Sequence, residues 1–195
     1  MSARTITARP LDATAFAPFG DIIDIRPQPD KIINQGKCAR YHDLAGLDFT
    51  KGGKAGISLF DAEARSFPYR LELMERHPLG SQAFLPLHEQ PFLVIVAENN
   101  IGKPGQPQAF ITPPSVGVNY HRNIWHGVLT PLSAPGLFAV VDRIGGGKNL
   151  EEFWFEEKIV IEKDMIKIWS KCGPNIVKLV KNDPNEGLKM VQMVK

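Results

Sequence analysis

Sixteen prolines and seventeen glycines are spread along the whole of this 195-residue chain, and they leave little room for long helices. Between these breaks lie short apolar runs rich in valine, isoleucine and phenylalanine: Gly20–Ile25, Ala55–Phe60, Tyr69–Leu73, Gln82–Leu87, Phe92–Ala97, Gln108–Ile111, Val116–Tyr120, His126–Pro131, Leu137–Val141 and Glu152–Phe155. Many short strands punctuated by turn residues read as a sandwich or barrel. The expected fold class is therefore all-β, a single barrel with one or two short helices. Leu11–Pro18, opened by Asp12 or Thr14 as N-cap, is the one convincing helix before the last segment.

The balance of residue types narrows the function classes. An apolar fraction of 43% with 23% charged residues is that of a globular domain. The net charge of +2 and the absence of a basic stripe interleaved with aromatics argue against nucleic acid. The apolar runs are too short to span a bilayer. Cys38 and Cys172 stand far apart with no partner pattern, so a reducing, cytoplasmic setting is expected. The last segment differs in character: residues 159–195 carry seven lysines against four acids. We expect a catalytic barrel over 1–158 and a lysine-rich tail over 159–195, with no chemistry in the tail.

Two segments concentrate polar chemistry. In Leu71-Glu-Leu-Met-Glu-Arg-His-Pro-Leu-Gly-Ser-Gln-Ala-Phe84, strand alternation puts Leu71, Leu73, Glu75 and His77 on one face, with Gln82 and Phe84 on the return strand. Leu71 and Leu73 seek the core and draw Glu75 and His77 inward. A buried carboxylate, imidazole and amide need a ligand, a metal or each other. A Glu–His pair knitting two strands together is the plain structural alternative. Arg76, of opposite parity, reads as a surface or interface charge.

The second segment is Gly117-Val-Asn-Tyr-His-Arg-Asn-Ile-Trp-His-Gly127. A continuous strand would send His121 and His126 to opposite faces. Asn123 tolerates positive φ, and a kink there would let both histidines turn inward. For each histidine the alternative is a satisfied core or rim residue.

Taken together, these segments resemble the two motifs of the cupin superfamily, double-stranded β-helix (jelly-roll) barrels. Glu75, His77 and Gln82 stand at the first motif's positions, and Asn123-Ile-Trp-His126 at the second's. Glu75, His77, Gln82 and His126 would then hold one divalent ion through an oxygen-rich donor set.

At family level the strings Asn34-Gln-Gly, Arg40-Tyr-His-Asp-Leu-Ala45, Glu75–Phe84, Gly117–His126 and Val141-Asp-Arg143 resemble the ureidoglycolate lyase family, from about Leu11 to Glu157. The resemblance implies a homodimer that splits ureidoglycolate into glyoxylate and urea in allantoin breakdown, with a divalent metal, nickel included, linked to the family. It also gives the residues roles. His126 and His77 become acid/base groups or metal ligands, joined by His121, and Glu75 orients His77 or binds the ion. Tyr120, His121, Asn119 or Gln82 would donate to the substrate carboxylate or ureido carbonyl. Arg122, which shares parity with Tyr120, would clamp the carboxylate, and Arg40 and Tyr41 would help close the site from the same or a partner subunit. The rivals are another small-carboxylate cupin enzyme and a non-catalytic binding module.

Overall fold

The structure, a computed structural model, describes residues 4–25, 28–163, 177–183 and 187–193. Residues 1–163 form one compact unit and 164–195 another. The first unit is almost entirely β. Its one α-helix, Ala13–Phe16, is capped by Asp12, whose side chain accepts the Ala15 N–H at 2.9 Å.

Strands Gln108–Ile111, Arg4–Pro10, Glu151–Lys163, Tyr69–Arg76, Trp125–His126 and Phe92–Ala97 pair in that order, and Phe92–Ala97 pairs back onto Gln108–Ile111. The result is a closed six-stranded ring. A second, five-stranded sheet runs Gly20–Ile23, Gly117–Tyr120, Gln82–Pro86, Leu137–Ile144, Lys54–Asp61. This is a jelly-roll type of architecture, as the cupin resemblance implied.

Two apolar cores follow from the two periods of burial. Every strand of the ring contributes to the first, which includes Ala8, Leu71, Met74, Ile95, Ala109, Trp125, Ile159 and Ile161. The second lies between the ring and the five-stranded sheet. Phe92, Val94, Val96 and Phe110 enter it from the ring, Phe84, Val118, Tyr120, Phe138 and Val140 from the sheet, Phe16 from the helix and Phe19 from just after it. Phe92–Ala97 is buried at all six positions because each of its faces meets a different core. That explains why its sequence is continuously apolar instead of alternating.

Two expectations need adjusting. Leu71 and Met74 share one core, which strict alternation forbids. The ladder to Glu151–Lys163 shifts register between Trp154 and Ile159, and that irregularity reverses the faces. Leu71 therefore does not share Glu75's face. The boundary expected at residue 158 also falls inside a strand, since Ile159 and Ile161 are fully buried and pair with Arg4–Pro10 through Lys163. A change in charge did not mark the end of the packing.

The Arg4–Pro10 strand was not legible as one. It carries few apolar residues and is held by parallel ladders on both sides. In the second unit, Val177–Asp183 pairs antiparallel with Gly187–Met193 around the Asp183-Pro184 break. Cys172 lies outside the described residues. No helix among them is long and apolar enough to cross a membrane.

Candidate active site between the two sheets

The chain leaves the five-stranded sheet at Tyr120 and re-enters the ring at Trp125. The turn between them places Asn123 at φ 71, the left-handed conformation that asparagine tolerates. Ile124 N–H closes this turn on the His121 carbonyl at 3.2 Å, and Asn123 N–H ties it to the His77 carbonyl at 3.0 Å. Because the segment changes sheet, Tyr120 and His126 meet face to face across the inter-sheet layer. Their rings stack at 4.4 Å and 6°. Trp125, one residue earlier, points the other way into the ring core.

Register assembles the rest. His126 is the cross-strand partner of Glu75, and Tyr120 that of Gln82. His77 follows Glu75, and its ring centroid lies 5.3 Å from that of His126. One ligand atom each of Glu75, His77 and His126 falls within 4.8 Å of the others. Glu75, His77, Gln82, Tyr120 and His126 thus form one cluster, four of them on strands and His77 at the strand end. Two surface clefts, one lined by Arg65, Tyr69 and Glu72 and the other by Leu11, Ile22 and Leu44, include none of these five residues.

Hydrogen bonds fix the imidazole tautomers. His77 Nδ1 donates to the Asn149 carbonyl at 2.7 Å, and His126 Nδ1 to the Gly127 carbonyl at 3.1 Å. Each Nε2 therefore carries a lone pair. Both Nε2 atoms and Gln82 Oε1 are buried without a hydrogen-bond partner among the described residues. Three unpartnered acceptors and a carboxylate in one place are costly unless something electropositive satisfies them.

Burial also sets the charges. Desolvation, reinforced by His77, pushes the His126 pKa down to about 3, so its ring is neutral. Its 3.9 Å approach to Glu75 Oε1 is accordingly a dipolar contact instead of an ion pair. Desolvation pushes the Glu75 carboxyl up; His77 opposes this and Glu152, its cross-strand partner, adds to it. Burial, with the nearby Glu75 charge, also raises Tyr120, whose hydroxyl keeps its proton.

Other anticipated residues lie elsewhere. Asn119 and His121 have the opposite parity to Tyr120 and meet Asp21 instead. Asn119 Nδ2 donates to Asp21 Oδ2 at 2.9 Å and to the Gly46 carbonyl at 3.0 Å, while His121 Nε2 lies 3.2 Å from Asp21 Oδ1. Burial alone would raise Asp21, yet the bonds from Asn119, His121 and Gly46 hold its carboxyl below the usual range. The kink at Asn123 forms, but it does not turn His121 inward.

Arg122 is exposed and bonded to Asp48 at 2.7 Å. Arg40 is exposed and bonded to His42 at 2.9 Å, and Tyr41 beside it is half-buried. None of these three makes a hydrogen bond to the cluster among the described residues. Arg76 is no simple surface charge. It bonds Glu151 and lies 4.8 Å over the Trp125 ring, capping the ring core.

No local pattern pointed to Asn149, Glu152 or Asp21, each brought in from a distant segment by sheet pairing or loop closure. Only the two motif strings carried a local signal.

Comparison with known proteins gives a family match over most of the chain. A family model described as ureidoglycolate lyase matches residues 3–162. A ureidoglycolate lyase of Rhodobacter capsulatus is 60% identical over 153 residues, 78% of this chain and 95% of the relative. Similar proteins of the same name occur in Mesorhizobium japonicum, at 53% over 77% of this chain and 93% of the relative, and in Chelativorans, at 50% over 79% and 94%.

Proposed function

This chain belongs to the ureidoglycolate lyase family, and on that footing we propose that its inter-sheet site splits ureidoglycolate into glyoxylate and urea in allantoin breakdown. The protein is an enzyme of the carbon–nitrogen lyase type. The substrate carbon bears a carboxylate, a hydroxyl and a ureido nitrogen. Cleavage moves the hydroxyl proton to the leaving nitrogen, while the C–N electron pair departs with urea and the oxygen closes to a carbonyl.

The observation that carries the reading is the group Glu75, His77 and His126, one ligand atom of each within 4.8 Å of the others, together with buried acceptors at His77 Nε2, His126 Nε2 and Gln82 Oε1 that have no partner among the described residues. A divalent cation fits that set, because every atom offered is a donor of electron density and both imidazoles are locked in the ligand tautomer. Imidazole nitrogen with carboxylate and amide oxygen suits nickel or zinc, and nickel is our first choice. Bound there, the ion would hold the substrate carboxylate and hydroxyl and lower the hydroxyl pKa.

The chain's own groups do the rest. One Glu75 carboxylate oxygen accepts the hydroxyl proton and returns it to the departing nitrogen. The Tyr120 hydroxyl, held protonated, donates a hydrogen bond to the ureido group. His77 and His126 would hold that ion and through it orient the substrate. We assign the counter-charge of the substrate carboxylate to that ion, since Arg122 is engaged with Asp48, Arg76 with Glu151, and Arg143 with the carbonyls of Thr50 and Gly146.

We place this activity in a cytoplasmic homodimer. The scarcity of cysteine supports a reducing compartment. The edge strand Lys54–Asp61 leaves Ile57 78% and Leu59 68% exposed, as an uncovered subunit surface would.

The test is a product assay on racemic ureidoglycolate, following glyoxylate, urea and ammonia with and without chelator. Glyoxylate with matching urea, lost on chelation and restored by nickel, is the expected result. Ammonia in place of urea, or no glyoxylate above the spontaneous rate, overturns the reading.

A further inference from the structure

The two histidines of the site are held in different ways. His126 Nδ1 donates to the carbonyl of its own neighbour, Gly127. His77 Nδ1 instead donates to Asn149, 72 residues away, on the loop between Leu137–Ile144 and Glu151–Lys163. The state of His77 therefore depends on where that loop puts one carbonyl.

Asn149 itself fixes the position. Its side-chain Oδ1 accepts the Leu79 N–H at 2.8 Å, from the Pro78-Leu79-Gly80 turn that follows His77. One residue thus makes two bonds to the same three-residue stretch, main-chain oxygen to the ring and side-chain oxygen to the backbone. The far end of the loop is anchored as well, where Arg143 Nη2 donates to the Gly146 carbonyl at 3.0 Å. The Pro78–Gly80 turn packs against Arg143, leaving no room for a Cβ at Gly80, where it would come within 2.6 Å of the Arg143 Cβ. From the other side, the Asn123 N–H holds the His77 carbonyl at 3.0 Å.

A carbonyl can only accept. At 2.7 Å from Nδ1 it excludes the tautomer with the proton on Nε2, which would set two lone pairs against each other. The Nδ1–H form leaves the Nε2 lone pair buried and without a partner among the described residues. We propose that Asn149 is a positioning residue: its side-chain amide clamps the 77–80 turn so that its own carbonyl selects the His77 tautomer with a free Nε2. This rests on the proposed reading of the site, in which that lone pair binds a cation.

The experiment uses the full chain, freed of metal and labelled with 15N, in wild type, Asn149→Ala, Asn149→Leu and Asn149→Asp forms. Leucine is near-isosteric without the acceptor, so it serves if alanine does not fold; aspartate keeps an oxygen for the Leu79 N–H. Long-range 1H–15N spectra read the His77 tautomer directly, and cobalt(II) chloride titration reads the affinity. Wild type and Asn149→Asp should show the Nδ1–H form. Asn149→Ala and Asn149→Leu should show mixed tautomers and bind cobalt about tenfold more weakly or worse.

An unchanged tautomer and affinity in alanine and leucine variants that remain folded by circular dichroism would overturn the assignment. So would an aspartate variant as impaired as they are. Failure of wild type to bind cobalt would instead sink the cation reading, and the tautomer spectra would still decide the role of Asn149.

Discussion

Trp125 and His126 are neighbours in sequence and belong to opposite compartments. Trp125 closes the ring core, where every large side chain is apolar and Arg76 caps the indole from above. His126 faces the inter-sheet layer, equally buried at 1% exposure, among atoms with no hydrogen-bond partner. Burial is the same on both sides of the strand, and its consequence is opposite. In the ring it stabilises, at roughly 1.5–3 kcal/mol for each large side chain removed from water. At His126 and Glu75 it costs stability and creates reactivity, keeping one imidazole neutral and a carboxylate basic.

If that division is right, His126→Ala should have the largest effect on turnover, with glyoxylate formation falling at least about 100-fold while the fold persists. Trp125→Ala should do the reverse. Urea unfolding should show a loss of about 3–5 kcal/mol, the range for deleting a large buried aromatic, with the remaining folded fraction still active. A Trp125→Ala protein that is stable but inactive would break the comparison.

Acid sharpens it next. Between about pH 6.5 and 3 the unfolded chain protonates His126 and the folded chain does not, so stability is fully present above 6.5 and declines as pH falls. The slope is about 1.4 kcal/mol per pH unit. In chelator-treated protein, the difference between wild type and His126→Gln melting curves from pH 7 to 5 isolates this contribution. Parallel curves would mean that His126 is not held neutral.

The smallest effect is expected at Arg122, whose pair with Asp48 is 41% and 56% exposed. Arg122→Ala should cost under about 1 kcal/mol and leave KM within about twofold. A tenfold rise in KM would move the carboxylate site out to that rim.

Most strands were legible because turn residues bound them and each buries at least one apolar face; Phe92–Ala97 and Gln108–Ile111 match their expected limits. Glu75 and His77 were placed in the site by alternation from Leu71, yet the register shift breaks that alternation. Glu75 shares a face with His126 because the two pair across strands, not because Leu71 is buried. Arg122 was chosen by parity with Tyr120, a rule that ends where the strand ends. The turn after Tyr120 sends its side chain to Asp48.

The sequence alone determined the all-β class, the two polar strings and the kink at Asn123, since these are local: turn chemistry, period and residue type act within a few positions. Tertiary structure decided which polar residues meet. Tyr120 and His126 stack only because the chain changes sheets between them. His77 presents its Nε2 lone pair only because a loop 72 residues on delivers a carbonyl to Nδ1. Cross-strand register and loop closure join residues far apart in the chain, and no local pattern encodes where such a partner will come from.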